Sequence, residues 1–433
     1  MFFTCLKPPA DTKMKRFSLI LWAMLCLNWT TVQGASTTNG QKRYQPSSRL
    51  YATLQAAMRT LWKTFPANVR IEENFLFFPV PFVRDVTFIE SLLNDNAREK
   101  TRPVLPLYLG VEEDLRGFEN ELRNVTVNNV RFKSILYTNS VEFNKTMDAT
   151  VNRVYKSPAD PTDRALVVVD SGAKKRRLWN LLSQGVEENN LASTCEVRFC
   201  AIWKIIASQP SFSMVTLASW KIRDIAGFQW TEMVKFLFYD IHTIDVLGLQ
   251  SVAKYDYAEF KYPRLNGCTG RALRMSYSSD FHLTFVIPST KRNCSTLEEL
   301  WKNFGDVNLN DLKFNNQEMF ISIPVFRVSS LVNLRWSLKG SDLAKEFNRN
   351  SSKIYKALAF LATEFIFEPK LPPAKARPTI PIRTPEFLVY RPFFLSVAHI
   401  SSRSTVFTGL VLYPGCVKQC LNQPITAGPP IGT

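Results

Sequence analysis

The sequence predicts a mixed α+β fold built as one large unit behind a short export leader. Three observations carry that expectation. The leading helical patterns lie in the first third of the chain, with only short helices expected later. Short β-branched and aromatic runs begin near residue 165 and continue to the end. No Gly-, Ser- or charge-rich linker divides the 433 residues, although their number would suggest two or three domains of ordinary size. With 45% of residues in the AVILMFWYC class the chain is globular, and 16 glycines without a period exclude a collagen-like array.

Residues 1–34 read as a signal peptide. Lys13, Lys15 and Arg16 precede an apolar run from Phe17 to Leu27. That run falls short of the roughly 20 residues needed to span a bilayer. Cleavage is expected after Gly34, and Met1 and Met14 are both candidate initiators. No later stretch reaches a membrane-spanning length, so no transmembrane segment is expected. Residues 35–46 are polar and patternless and read as a disordered tail, and residues 416–433 as a C-terminal tail. Removing residues 1–34 takes four cations and one carboxylate from a net charge of +17 and leaves +14. Such an excess favours acidic partners: sulfated glycans, anionic membranes or nucleic acid. Nucleic acid is not expected for an exported chain. Six cysteines remain behind the leader: Cys195, Cys200, Cys268, Cys294, Cys416 and Cys420. An even number in an exported protein suggests disulfides, in any of 15 pairings. Asn124, Asn144, Asn293 and Asn350 open Asn-x-Ser/Thr sequons and are expected to carry glycans.

The elements follow in order. Leu50, Leu54, Met58 and Leu61 recur at helical spacing, with Ser47 or Ser48 as cap and Pro66 as stop, so a helix is expected from Ser48 to Phe65. A Phe- and Pro-rich knot, Phe75 to Phe82, leads into a second helix with Phe88, Leu92 and Leu93 on one face. Leu115 to Leu122 is a third helical pattern. Strands are expected at Leu166 to Asp170, Arg198 to Ile206, Phe281 to Ile287, Met319 to Ile323 and Val325 to Val328. Short helices are expected at Leu297 to Phe304 and Leu338 to Phe347. Phe393 to Val397 and Thr405 to Leu412 close the chain as a hairpin. Between residues 368 and 385 stand six prolines in 18 residues, an extended and solvent-exposed stretch.

Catalytic and metal chemistry finds little support. Only His242, His282 and His399 exist, and no pair has zinc spacing. His282 lies in an apolar strand and reads as structural. There is no Gly-x-Ser-x-Gly elbow and no phosphate-binding Gly-rich loop. Neither an enzyme, a cofactor nor a metal is expected. Lys174, Lys175, Arg176 and Arg177 form the densest basic run. They are a candidate sulfated-glycan site, a dibasic processing site or simply a solvated face.

Taken in order, residues 47–415 resemble the serpin superfamily. The closing segment is the clearest match: Phe387-Leu-Val-Tyr-Arg-Pro-Phe393, then Thr405-Val-Phe-Thr-Gly409 and Pro414, resembles the serpin C-terminal signature. Ser276-Tyr277 before Leu283 to Pro288 is similar to the strand pair that ends in Leu-Pro. Ile323 to Val328, with Leu331, Leu334, Leu338 and Gly340, is similar to the strand and helix that follow. Asn74-Phe-Leu-Phe-Phe-Pro79 sits where serpins open their second helix, and Ala201-Ile-Trp203 near an Asn-Ala-x-x-Phe strand. The resemblance implies a serpin fold of three β-sheets with eight or nine helices and an exposed reactive-centre-like loop, here about 364–386. It also implies a mechanism in which the cut loop inserts into the main sheet and drags an acylated protease with it.

Against that implied mechanism the sequence shows three departures. Counting from Lys356, the hinge falls near Thr363 to Glu368, where serpins carry small residues. Here stand Glu364, Phe365, Ile366 and Phe367, followed by Pro369, Pro372 and Pro373. A central strand tolerates no such prolines. Counting back from Phe387 and Arg391, the scissile position falls at Arg377–Pro378, a bond that trypsin-like proteases cut poorly. Lys375–Ala376 and Arg383–Thr384 are the substitutes on the same loop. Where serpins place switchable hydroxyls beneath the main sheet, Phe78 and Pro81 are expected to pack the gate with apolar groups. The sequence thus predicts a secreted, extracellular, monomeric serpin-like protein that lacks loop insertion and acts as a binding or carrier scaffold. Its partners would be a hydrophobic small ligand, a sulfated glycan or an extracellular protease. The alternative is an active serine-type endopeptidase inhibitor with an atypical reactive loop.

Overall fold

Ser47 shows how local chemistry starts the fold. Its hydroxyl oxygen accepts the backbone N–H of Leu50 at 3.2 Å and caps helix α1 (Ser48–Asn68). The same hydroxyl donates to the Asp114 carboxylate on a later helix. The computed structural model describes residues 47–68, 74–91, 111–126, 130–138, 154, 166–169, 212–223, 225, 227–238, 242–265, 267–288, 297–333, 358–370, 380–381 and 383–414. All of them belong to one compact unit. The leader, the two tails, the candidate strand at Arg198 to Ile206 and the candidate helix at Leu338 to Phe347 lie outside the described residues.

After α1 come β1 (Phe75–Phe77), α2 (Pro79–Ser91), α3 (Val111–Thr126), β2 (Val130–Thr138), β3 (Leu166–Val169) and β4 (Phe212–Ile222). Then follow β5 (Trp230–Phe238), β6 (His242–Lys261), β7 (Thr269–Ser276), β8 (Phe281–Pro288) and α4 (Leu297–Phe304). The last strands are β9 (Asn315–Pro324), β10 (Phe326–Asn333), β11 (Leu358–Phe367), β12 (Glu386–Leu388), β13 (Phe393–His399) and β14 (Ser404–Val411). Helix α1 runs through Pro66, which falls in its last turn, and not to the expected stop at Phe65. There the missing donor removes one bond only, because the helix ends two residues later. Of its expected face, Leu50, Leu54 and Leu61 are fully buried and Met58 partly so. Trp62, beside them, meets the rings of Phe75 at 5.2 Å, Phe304 at 5.1 Å and Phe394 at 5.9 Å.

The described strands form two hydrogen-bonded sheets. One has five strands in the order β10-β11-β4-β2-β3, and the other has nine, β1-β14-β13-β8-β7-β6-β9-β12 with β5 paired to β6. The 20-residue β6 holds the second sheet together, because it meets β5, β7 and β9 at successive stretches. The anticipated hairpin is β13–β14, with a register shift between Val397 and Ala398. Its Gly409 is required by β1: a Cβ there would lie 2.7 Å from the Phe75 carbonyl oxygen. Among the described residues there are four α-helices and two such sheets, fewer than the three sheets and eight or nine helices that the resemblance implies.

Between the sheets lies an aromatic core. Phe365 and Phe407 stand 4.7 Å apart, Trp220 and Phe281 5.3 Å, Phe285 and Phe367 5.5 Å, and Phe326 and Phe393 5.4 Å. Each such ring, fully buried, contributes about 1.5–3 kcal/mol by exclusion from water. This packing fixes which face of the five-stranded sheet looks inward. On β4 it is Met214, Thr216, Ala218 and Trp220, and on β11 it is Leu361, Thr363, Phe365 and Phe367.

Candidate functional site at the seam of the five-stranded sheet

The seam between β11 and β4 is a parallel pairing at ten positions, from Leu358 opposite Ser213 to Phe367 opposite Ile222. Beyond β11 the chain stays tied to β4's end. The N–H of Glu368 donates to the Ile222 carbonyl and that of Lys370 to the Arg223 carbonyl, both at 3.0 Å. Pro369, between them, is buried and Lys370 exposed. The far end of the loop is anchored by β12, which runs parallel to β9, and by a turn in which the Thr384 N–H donates to the Pro381 carbonyl at 3.0 Å. Pro381, Arg383 and Pro385 are exposed there. Loop entry and exit are therefore both hydrogen-bonded to sheet strands, the entry to the end of β4 and the exit through β12 to β9, with the Pro-rich stretch between them.

The structure places Glu364, Phe365, Ile366 and Phe367 inside β11, paired on one side to β10 and on the other to β4. The hinge position counted from Lys356 is thus strand, and the segment that leaves the sheet starts at Glu368. The physical reason is that these residues do what a two-sided strand requires. Phe365 and Phe367 point into the aromatic core. Glu364, on the opposite face and 2% exposed, accepts from the Arg327 guanidinium at 2.8 Å. Bulky rings that are poor hinge residues are good strand residues. Arg377 and Pro378 lie outside the described residues, as do Lys174, Lys175, Arg176, Arg177, Asn144, Asn293 and Asn350. Asn124 is in the last turn of α3.

Beneath the seam, Phe78 is fully buried, with its ring 6.0 Å from Trp220 and 6.1 Å from Phe407. Phe78 and Pro81 are both buried, as the apolar gate requires. The expectation that apolar groups replace hydrogen bonds under this sheet needs correction, however. One helical turn past Pro81, Asp85 accepts from the Thr216 hydroxyl of β4 at 2.6 Å, and Ser134 of β2 meets that same hydroxyl at 2.6 Å. Arg84 donates to Ser134 at 2.7 Å and to both carboxylate oxygens of Glu119 on α3 at 3.0 and 3.2 Å. All five residues are at most 7% exposed. This network joins α2, α3, β2 and β4. A signal for it stood in the sequence: Arg84-Asp85 is a charged pair inside a run of apolar residues, and buried charge requires partners.

At the back of the core, Asn74 is 6% exposed. Its amide donates to the Tyr413 carbonyl at 3.1 Å, and its side-chain oxygen accepts from Leu412 and Tyr413 at 2.7 and 3.2 Å. The opening of the second-helix region is thereby clamped to the end of β14. Cys268 is buried and disulfide-bonded, while the other five cysteines behind the leader lie outside the described residues. His282 is held below the ordinary imidazole range by burial and by the charge of Arg274. No cluster of three or more metal-ligating side chains occurs among the described residues, and no helix there is long and apolar enough to cross a membrane.

No protein-family model and no curated sequence matches the chain. Solved structures do match. The chain is similar to native protease nexin-1 crystallised with heparin, at a TM-score of 0.64 and 14% identity, over 84% of this chain and 100% of that one. It is similar to Serpin48, a highly specific serpin of the insect Tenebrio molitor, at 0.61 and 15%, over 87% and 100%. It is also similar to maspin, at 0.64 and 15%, over 85% and 100%. Identities this low carry the architecture and nothing finer. With the strand order, the closing hairpin and the loop between β11 and β12, they show that this chain has the serpin fold.

Proposed function

We propose that this is an exported, glycosylated serpin-fold protein that does not perform loop insertion and acts as a binding scaffold. One observation carries the reading. The loop leaves β11 at Glu368 and reaches β12 at Glu386 through 18 residues that include Pro369, Pro372, Pro373, Pro378, Pro381 and Pro385. Insertion would require the ten-position β11–β4 ladder to open and this stretch to pair on both sides. Each proline within the inserted part lacks its N–H and leaves a buried acceptor unpaired, at about 1–3 kcal/mol apiece. Four of them fall in the first 11 loop residues.

The test is mechanical. The purified protein, cut in the loop by trypsin or by a cathepsin, should melt at the temperature of the intact protein and form no SDS-stable complex with the protease. A covalent band, or a large rise in melting temperature after the cut, would overturn the reading. The alternative of an active serine-type inhibitor draws on one feature, the parallel β11–β4 pair, between which an antiparallel strand has room in topology. Arg377–Pro378 and Arg383–Thr384 would be the bonds to inspect by mass spectrometry.

Among ligands, a sulfated glycan is favoured over a hydrophobic small molecule. The mature charge of +14 supports it, as does the presence of heparin in the protease nexin-1 structure. Elution from a heparin column above roughly 0.5 M salt would exceed what diffuse charge alone should produce.

A further inference from the structure

The outward face of the five-stranded sheet changes character along β4. Val215 and Leu217 are buried, Ser219 is 7% exposed, and then come the partly exposed Lys221 and the exposed Arg223. In the row of Lys221, Ile366 of β11 and Arg327 of β10 stand side by side. Neighbouring strands are about 4.8 Å apart, so Arg327 and Lys221 start about 10 Å apart, and Arg223 lies about 6.6 Å farther along β4. Lys370 joins them at the loop's entry through its N–H bond to the Arg223 carbonyl. Two carboxylates share this face. Glu364 is engaged by Arg327 at 2.8 Å, and Glu368 is partly exposed beside Arg223. Four cations therefore face two carboxylates at the loop end of the seam. Burial and the charges of Arg223 and Arg327 hold the Lys221 ammonium below its ordinary range, while Glu368 and Glu364 act against that. A desolvated ammonium next to guanidinium groups is relieved by an added anion. No apolar anchor stands in this row: Ile366 is 2% exposed, and the exposed large hydrophobic residues among those described, Met233 and Ile400, are on β5 and after β13. That argues for a hydrated polyanion over a lipid surface.

We propose that Lys221, Arg223 and Lys370, with the Arg327–Glu364 pair beside them, form a sulfated-polysaccharide site on the outer face of the sheet, spanning β4 and the start of the loop. It uses none of the residues of the basic run at 174–177, and it rests on the glycan reading given above. A bound chain bridges Arg223 and Lys370 and so holds the loop's entry against β4.

The test titrates a size-defined heparin oligosaccharide into three proteins: the wild type, K221A/R223A/K370A and K174A/K175A/R176A/R177A. The first variant is expected to lose roughly tenfold or more in affinity, the sum of three modest surface charge contacts, with a shallower salt dependence and an unchanged melting temperature. The second is expected to keep most of the affinity. If the wild type does not bind, the glycan reading and this site fall together. If the wild type binds, the first variant is unaffected and the second loses binding, the glycan reading stands and this site is overturned. Binding of phosphatidylserine vesicles as tight as that of heparin would overturn the assignment to a polysaccharide.

Discussion

Two threonines on neighbouring strands separate the two halves of the five-stranded sheet. Thr216 of β4 bonds to Asp85 and Ser134 at 2.6 Å each, within a buried network that also holds Arg84 and Glu119. Thr363 of β11, on the same inward face and 1% exposed, has no hydrogen-bond partner for its hydroxyl among the described residues. The β2–β4 side is riveted by polar groups to α2 and α3. The β11–β4 seam is held by its ladder and by stacked rings. Polar rivets are specific and resist sliding, whereas apolar contacts can be exchanged for others of similar shape. A sheet that is ever to part would part at the seam, and this one keeps the difference although six prolines stand in the 18 residues that follow β11.

The comparison can be broken at its strongest points. Glu119→Ala would leave the buried Arg84 guanidinium only the more distant Asp85 carboxylate, at 3.9 Å, and should cost about 3–5 kcal/mol in urea denaturation. Phe365→Ala, at a fully buried ring, is expected to cost a similar 3–5 kcal/mol. The two should part in hydrogen exchange. Glu119→Ala should speed exchange mainly along the β2–β4 ladder, and Phe365→Ala mainly along β11–β4. Identical patterns would sink the distinction between rivet and seam. Smaller substitutions sharpen it. Thr216→Val should cost about 1–3 kcal/mol by leaving Asp85 short of a donor, whereas Thr363→Val should be neutral within about 1 kcal/mol or stabilising. Equal losses at both sites would show that the Thr363 hydroxyl has found a partner.

Much of the frame was legible in the residues. The closing hairpin, β8, β9, β10, α1 and α4 follow from short-range periodicity and flanking Pro or Gly, which are local signals. Strands β1, β2, β4 to β7 and β12 carry no local signal as clear, and β11 reads only as a helix-or-strand run before the loop. In β6 burial alternates only in places, because different stretches of it pair with different neighbours. In β11 the Phe365-Ile366-Phe367 run is buried on both faces, so it shows no alternation and reads in sequence as a hinge. Of the candidate site, the loop and its prolines were visible. The Arg84–Asp85 pair signals buried charge, but its partners are not legible, since they lie 35, 50 and 131 residues away.

The sequence by itself determined the stiffness of the stretch between residues 368 and 385, because a proline ring limits φ and removes a donor whatever surrounds it. It also determined the positive charge, which needs no fold to exist. Only the tertiary structure decided that Glu364 to Phe367 are strand and that, among the described residues, the Thr216 hydroxyl is bonded while that of Thr363 is not. It alone gathers Lys221, Arg223 and Lys370 at one end of a seam. Those outcomes depend on which distant strand lies alongside, and a buried polar or charged group is settled by neighbours that chain order does not specify.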